Sequence, residues 1–166
     1  KLGHKGPAEI PAKRVFTYRH VLWRSRQLGR PIRFPPAHPF NPLPALRLCQ
    51  ALDARPEAVE AIFDWIWTEG RAADTAEALA PLAERLGVAD LAAALSSPAV
   101  KQALRDNFDA AVREGVFGVP TLVVDGELFW GEDAMDFAEA VIAAPGLRRG
   151  EEFRRLAGLP GAAARN

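Results

Sequence analysis

The chain has 166 residues, of which 49% are hydrophobic and 25% are charged. These proportions are ordinary for a folded globular protein, and the length predicts one domain or one domain with an insertion. Lys plus Arg and Asp plus Glu both number 21. The charge balance therefore gives no indication of a nucleic-acid partner or an anionic lipid surface. No apolar run approaches the ~20 residues that cross a bilayer, so we predict no membrane partner.

The cysteine and histidine content limits the chemistry further. Cys49 is the single cysteine, which excludes a disulfide framework and a Cys-x-x-Cys redox site within these residues. Its position in an apolar helical pattern predicts a thiol in the core. His20 and His38 have no metal-ligand spacing with each other or with an acidic cluster. We therefore predict structural histidines, no metal site and, by default, a cytoplasmic protein.

Most of the chain is predicted to be helical. Apolar residues recur at helical spacing in six segments, which are residues 12–29, 42–53, 56–69, 74–86, 89–95 and 97–114. Residues 30–44 are rich in proline and predict an extended connection. Asn41 is positioned to cap the second helix, with Pro42 at its first position.

The C-terminal third changes to a strand–turn–strand–helix pattern, EGVFGVPTLVVDGELFWGEDAMDF. Asp125-Gly126 is a strong hairpin signal between two apolar runs, residues 121–124 and 127–130. Both faces of these strands are apolar, which predicts a covered sheet with further strands. A helix is predicted from Asp133 to residue 143, and the residues after Pro145 are predicted to fray.

Pro120 opens the first of the two strands. Proline is tolerated at that position, and an X-Pro bond is the usual site of a cis peptide. We predict a cis Val119–Pro120 bond, which would direct the backbone of Val119 outward. The alternative is a trans proline that only marks the start of the strand.

The residues VFGVPT, the hairpin and FWGED resemble the C-terminal signature of 2-hydroxychromene-2-carboxylate isomerases and kappa-class glutathione transferases. GHKGPAEIPAKR and IRFPPAHPFNPLPALR extend the resemblance upstream. It implies an α/β fold, the DsbA-type thioredoxin-like fold with an inserted all-helical domain. In this division, residues 1–12 are a remnant of the N-terminal thioredoxin-like part. Residues 13–113 are the helical insertion, 114–145 are the C-terminal ββα unit, and 146–166 are a tail.

The resemblance also implies glutathione as cofactor. The exposed backbone of Val119, before Pro120, would pair with the cysteinyl unit of the tripeptide. Amides at the helix start near Glu132 would hold the γ-glutamyl carboxylate, and Asp133 would accept the ammonium group. Glu132 departs from the Ser, Gln or Asn that is common there, and its charge would repel the bound carboxylate. The alternative for both acids is a favourable charge in the first turn of a helix.

Five further site residues are expected on the same basis. Lys13 matches a family lysine near the glycyl carboxylate, although a solvated lysine is the commoner case. His4 stands where many relatives carry an asparagine. Trp130, Tyr18 and Asn41, the last beside Phe40, are candidates for the substrate pocket, with core packing or capping as the alternative. The activating serine of the family is expected upstream of Lys1, in an N-terminal part that we expect to be missing from these residues.

We therefore predict a glutathione-dependent cis–trans isomerase of the 2-hydroxychromene-2-carboxylate isomerase type, in aromatic catabolism. The resemblance implies reversible addition of the thiol to a small aromatic 2-oxo acid, with glutathione not consumed, and a homodimer. One alternative is a kappa-class-like glutathione transferase with the same site. The other is a non-catalytic DsbA-like binding module.

Overall fold

The computed structural model describes residues 6–156 and 158–160. The chain divides into two compact units, Lys1–Phe108 and Asp109–Asn166. The helices of the first unit are α1 (Pro11–Gln27), α2 (Leu43–Ala51), α3 (Pro56–Phe63), α4 (Ala76–Arg85), α5 (Leu91–Ser96) and the start of α6 (Pro98–Arg113). The second unit contains β1 (Thr121–Val124), β2 (Glu127–Trp130), α7 (Met135–Ala143) and α8 (Glu151–Leu156). Within the described residues, no helix has the length and apolar character needed to cross a membrane.

Side chains cap the N-termini of two helices. The Thr75 hydroxyl accepts a hydrogen bond from the Ala78 amide at 3.1 Å, and the Asp90 carboxylate accepts one from Ala93 at 2.8 Å. Both are N-caps that satisfy a free amide at a helix start. The amide oxygen of Asn41 accepts from the Leu43 amide at 3.2 Å, but Pro42 occupies the N-cap position of α2, so the prediction of Asn41 as the cap is wrong. The helix itself begins one residue later than predicted, at Leu43.

The helix predicted over residues 56–69 has a change of geometry inside it. α3 ends at Phe63, and residues Asp64–Thr68 continue as a π-helix. In this turn the Trp65 indole N–H donates to the Ala72 carbonyl at 2.8 Å. The wider turn lets Trp65 and Ile66 both face the core, where each is 6% exposed.

The core of the first unit lies where α2, the α3 segment, α4 and α5 meet. Leu48 and Leu79 are fully buried, and Leu82 is 1% exposed. These leucines recur at the spacing that places them on the inner faces of their helices. Cys49 packs against this cluster but is only half-buried, so the predicted core thiol lies at the edge of the core.

In the second unit, β1 and β2 form an antiparallel hairpin with Thr121 opposite Trp130 and Val124 opposite Glu127. Asp125 and Gly126 have φ values of 50° and 81°, the left-handed conformations that the predicted two-residue turn requires. α7 packs on the hairpin and buries Phe129, which is 2% exposed. The sheet of the described residues has two strands, and Val123 is 48% exposed. None of these residues supplies the further strands that the apolar faces predict, so the covered sheet stays a prediction.

The prediction of a frayed tail after Pro145 is wrong for residues 145–156. Residues Pro145–Arg149 form a 3-10 helix and α8 follows. The Arg148 guanidinium donates to the carboxylates of Asp125 at 2.8 Å and Glu127 at 3.3 Å, next to the hairpin turn. The ring of Phe153 stacks on that of Phe137 with centroids 6.2 Å apart. These two contacts hold residues 145–156 against the hairpin and α7.

Candidate functional site

The Val119–Pro120 corner precedes β1. Its peptide bond is cis, as predicted. Val119 is 87% exposed. Its backbone N–H and C=O make no hydrogen bond to any described residue. The corner therefore offers one donor and one acceptor in line with the strand, next to an exposed side chain.

The turn that begins α7 lies directly beside this corner. The Gly131 amide donates to the Pro120 carbonyl at 3.0 Å. Gly131 has a φ of 100°, and a Cβ there would collide with the Asp133 carboxylate oxygen Oδ1. A glycine is required at this position. The 3-10 turn Glu132–Ala134 follows and leads into α7, so the exposed carboxylate of Asp133 and the amides of the turn lie at a helix start.

Trp130 forms one side of the corner. A Cβ on Gly118 would collide with the Trp130 indole nitrogen, so the ring lies against the backbone at that glycine. The rings of Trp130 and Phe117 have centroids 5.2 Å apart, and the Thr121 hydroxyl donates to the Gly118 carbonyl at 2.7 Å. Trp130 is nevertheless 53% exposed. It both packs on the segment before Val119 and presents an aromatic surface.

The second unit therefore brings together five of the residues predicted from sequence, which are Val119, Pro120, Trp130, Glu132 and Asp133. Backbone hydrogen-bonding groups, two exposed carboxylates and an indole ring meet at one end of the hairpin. Such a set can bind the backbone and the ammonium group of a peptide-like ligand. The amides at the start of α7 suit a carboxylate.

The other predicted site residues belong to the first unit or to the undescribed residues. Lys13 is exposed on the first turn of α1. The Tyr18 hydroxyl donates to the His38 carbonyl at 2.8 Å, and the Asn41 side chain accepts from the Leu43 amide just before α2. Tyr18 and Asn41 thus have local structural roles. His4 lies outside the described residues.

An aromatic cluster in the first unit was missed by the sequence reasoning. The His38 ring lies between aromatic neighbours, with centroids 5.5 Å from Trp67 and 6.1 Å from Phe40, and its Nδ1 is 2.9 Å from the Tyr18 hydroxyl. Burial, and secondly the nearby positive charge of Arg14, lower the pKa of His38. The only signal was the density of aromatic residues in 34–40.

Among the described residues, no group of His, Cys, Asp and Glu is arranged to hold a metal ion.

Comparison with known proteins identifies the family of the chain. Residues 1–143 match the family of DSBA-like thioredoxin domains. The chain belongs to the DsbA-like thioredoxin family. Within it, the chain is similar to the 2-hydroxychromene-2-carboxylate isomerase of Pseudomonas putida. The two are 31% identical over 146 residues, which cover 85% of this chain and 72% of that protein.

Two further relatives extend the comparison. The 2-hydroxychromene-2-carboxylate isomerase of Sphingobium xenophagum is 36% identical over 101 residues, covering 57% of this chain and 52% of that protein. A solved structure of a 2-hydroxychromene-2-carboxylate isomerase superposes with a TM-score of 0.71 over 89% of this chain and 73% of that one, at 24% identity. The predicted DsbA-type thioredoxin fold is confirmed. The named relatives are isomerases, which supports the prediction of an isomerase.

Proposed function

We propose that this DsbA-like protein is a glutathione-dependent cis–trans isomerase. Its substrate would be 2-hydroxychromene-2-carboxylate or a similar small aromatic 2-oxo acid from aromatic catabolism. The similarity to the Pseudomonas putida isomerase carries the proposal, because it extends over 146 residues and includes the corner at Pro120. Because one fold hosts many functions, the proposal depends on this sequence similarity and on the residues of the corner, not on the fold alone.

The residues of the corner fit glutathione. The N–H and C=O of Val119 have no partner among the described residues, and an added peptide strand pairs with such groups. The cysteinyl unit would bind there. The amides at the start of the Glu132–Ala134 turn would receive the γ-glutamyl carboxylate. Asp133, whose carboxylate lies over Gly131, would accept hydrogen bonds from the γ-glutamyl ammonium group.

Lys13 and Glu132 contribute differently to the proposal. Lys13 lies in the first unit, and its contact with the glycyl carboxylate stays a prediction of the resemblance. The side chain of Glu132 would oppose binding, because its carboxylate stands next to the position of a bound carboxylate. Its contribution to the site would come from its backbone amide. This assignment makes Asp133 the main anchor for the γ-glutamyl end.

Glutathione supplies a thiol nucleophile when it is bound. The chain's own residues bind the tripeptide, orient it and limit the directions from which the substrate can approach. Val119 fixes the backbone of the cysteinyl unit, and the ring of Trp130 would present an apolar surface to the aromatic substrate. Holding two reactants in one orientation is a large source of rate acceleration.

The proposal is tested by calorimetric titration of the protein with glutathione, together with the isomerisation of 2-hydroxychromene-2-carboxylate followed by absorbance. Asp133→Ala removes a charge-assisted hydrogen bond and should weaken glutathione binding about 10- to 100-fold. Asp133→Asn should recover part of the affinity. Asp136→Ala is the matched control, because Asp136 is an exposed acid in the first turn of α7.

Isomerisation that proceeds equally well without glutathione would overturn the cofactor proposal. So would equal glutathione affinity in Asp133→Ala and the unmutated protein. An assay with an electrophilic aryl halide separates isomerisation from glutathione transfer. The isomerase proposal requires the chromene substrate to be the faster of the two.

A further inference from the structure

The first unit contains an apolar cavity between α2 and α3. Its volume is about 140 Å³. Phe40, Leu46, Cys49, Phe63 and Trp67 are among the residues that line it. Apart from the Cys49 thiol and the Trp67 indole, the lining side chains carry only carbon and hydrogen. Neither group is charged, so the cavity has no partner for an ionised ligand.

Two walls of the cavity are held in place from behind. The rings of Phe40 and Trp67 both pack against the His38 ring, with centroids 6.1 and 5.5 Å away. His38 is in turn 2.9 Å from the Tyr18 hydroxyl through its Nδ1. Ile62 and Ile66, each 6% exposed, also line the cavity and belong to the core. The cavity is therefore formed before any ligand arrives, which lowers the entropic cost of binding.

The rim of the cavity keeps apolar surface in water. Leu46 is 44% exposed and Phe63 is 61% exposed, although both line the cavity. An apolar ligand would remove part of this surface from water, at a gain of ~25 cal/mol per Å².

We propose that this cavity binds one six-membered aromatic ring without a charged substituent. An engineered apolar cavity of ~150 Å³ in another protein binds benzene, and the aromatic side chains of Phe40 and Trp67 favour contact with another aromatic ring. A chromene carboxylate has two fused rings and a charge, so it does not fit. The inference concerns the first unit alone and is independent of glutathione binding.

Cys49 reports directly on occupancy, because it lines the cavity and is the single cysteine of the chain. The rate at which the small neutral reagent methyl methanethiolsulfonate modifies Cys49 is measured by mass spectrometry, with and without benzene. At a benzene concentration of ~10 times its Kd, modification should slow about tenfold by mass action. Benzoate at the same concentration should leave the rate unchanged.

Two variants at Cys49 test whether benzene binding depends on the free volume of the cavity. Cys49→Leu fills the cavity, so benzene should no longer raise the melting temperature. Cys49→Ala keeps the space open and should retain the shift. A benzene-independent modification rate in the unmutated protein would overturn the proposal, as would equal protection by benzoate. An equal thermal shift in Cys49→Leu and Cys49→Ala would also overturn it. If Cys49→Leu does not fold, the modification rates of the unmutated protein decide the question.

Discussion

The corner at residues 117–133 and the cavity between α2 and α3 present two different kinds of recognition surface. The corner displays backbone amides, a carbonyl and carboxylates, whereas the cavity displays carbon and sulfur atoms with almost no polar group. The corner selects by the direction of hydrogen bonds and by charge. The cavity selects by volume and by the cost of removing polar groups from water. Changes of backbone geometry should therefore affect the corner, and changes of side-chain volume should affect the cavity.

The largest expected effect comes from the side chain that supports the corner. Phe129 is 2% exposed and its ring packs edge-to-face on Phe137 at 5.1 Å. Phe129→Ala should lower the free energy of unfolding by about 3–5 kcal/mol, measured by urea denaturation. Leu122 is its cross-strand partner but is 43% exposed, so Leu122→Ala should cost only about 1 kcal/mol. Equal losses in the two variants would contradict the packing of α7 on Phe129.

A single methyl group at Gly131 should disturb the corner. Gly131 has a φ of 100°, and an added Cβ would collide with Asp133. Gly131→Ala should destabilise the protein by about 1–3 kcal/mol. It should also lower glutathione affinity about tenfold, because the Asp133 carboxylate is displaced. Urea denaturation and calorimetric titration measure the two effects.

Gly146→Ala is the control for this change. Gly146 does not have the left-handed backbone conformation, and no atom lies within 4 Å of its added Cβ. Both the free energy of unfolding and glutathione affinity should stay near those of the unmutated protein. Unchanged glutathione affinity in Gly131→Ala would show that Asp133 does not bind glutathione.

A smaller effect is expected at the neighbouring carboxylate. Glu132→Gln removes a negative charge next to the proposed position of the γ-glutamyl carboxylate. The side chain is exposed, so glutathione affinity should rise by a factor of only about 2–5. Raising the salt concentration should reduce the difference between the two proteins, because exposed charges are screened. Weaker glutathione binding by Glu132→Gln would instead show that the Glu132 carboxylate contributes to binding.

The smallest effect should appear at the aromatic cluster behind the cavity. Burial, followed by the charge of Arg14, lowers the pKa of His38 in the folded protein. The stability associated with neutral His38 is therefore complete above the unfolded pKa of ~6.5 and is lost as the pH falls through the lower folded value. Urea midpoints at neutral pH and in mild acid should show this loss.

His38→Asn should make that pH dependence shallower, because the titrating ring is removed while an amide remains next to Tyr18. His20→Asn, on the exposed side of α1, is the matched control. An identical pH dependence in His38→Asn and the unmutated protein would show that His38 does not contribute to it.

Much of the corner was predictable because its conformation is encoded over a few residues. Asp125-Gly126 specified the hairpin turn, and the X-Pro pair at residues 119–120 indicated the cis bond. The VFGVPT and FWGED segments carried the resemblance that the comparison with the family confirmed. Local conformational preference and a contiguous motif are both readable from sequence.

Only the tertiary structure decided the features that depend on distant residues. Residues 145–149 pack on the hairpin because Arg148 reaches carboxylates at its turn, and basic composition by itself does not indicate such a partner. The cavity exists because Phe40 and Trp67, far apart in the chain, both pack on His38. The sequence determined the helices, the hairpin and the family. The tertiary structure decided which apolar side chains fill space and which leave it open, because packing volume is a property of many segments together.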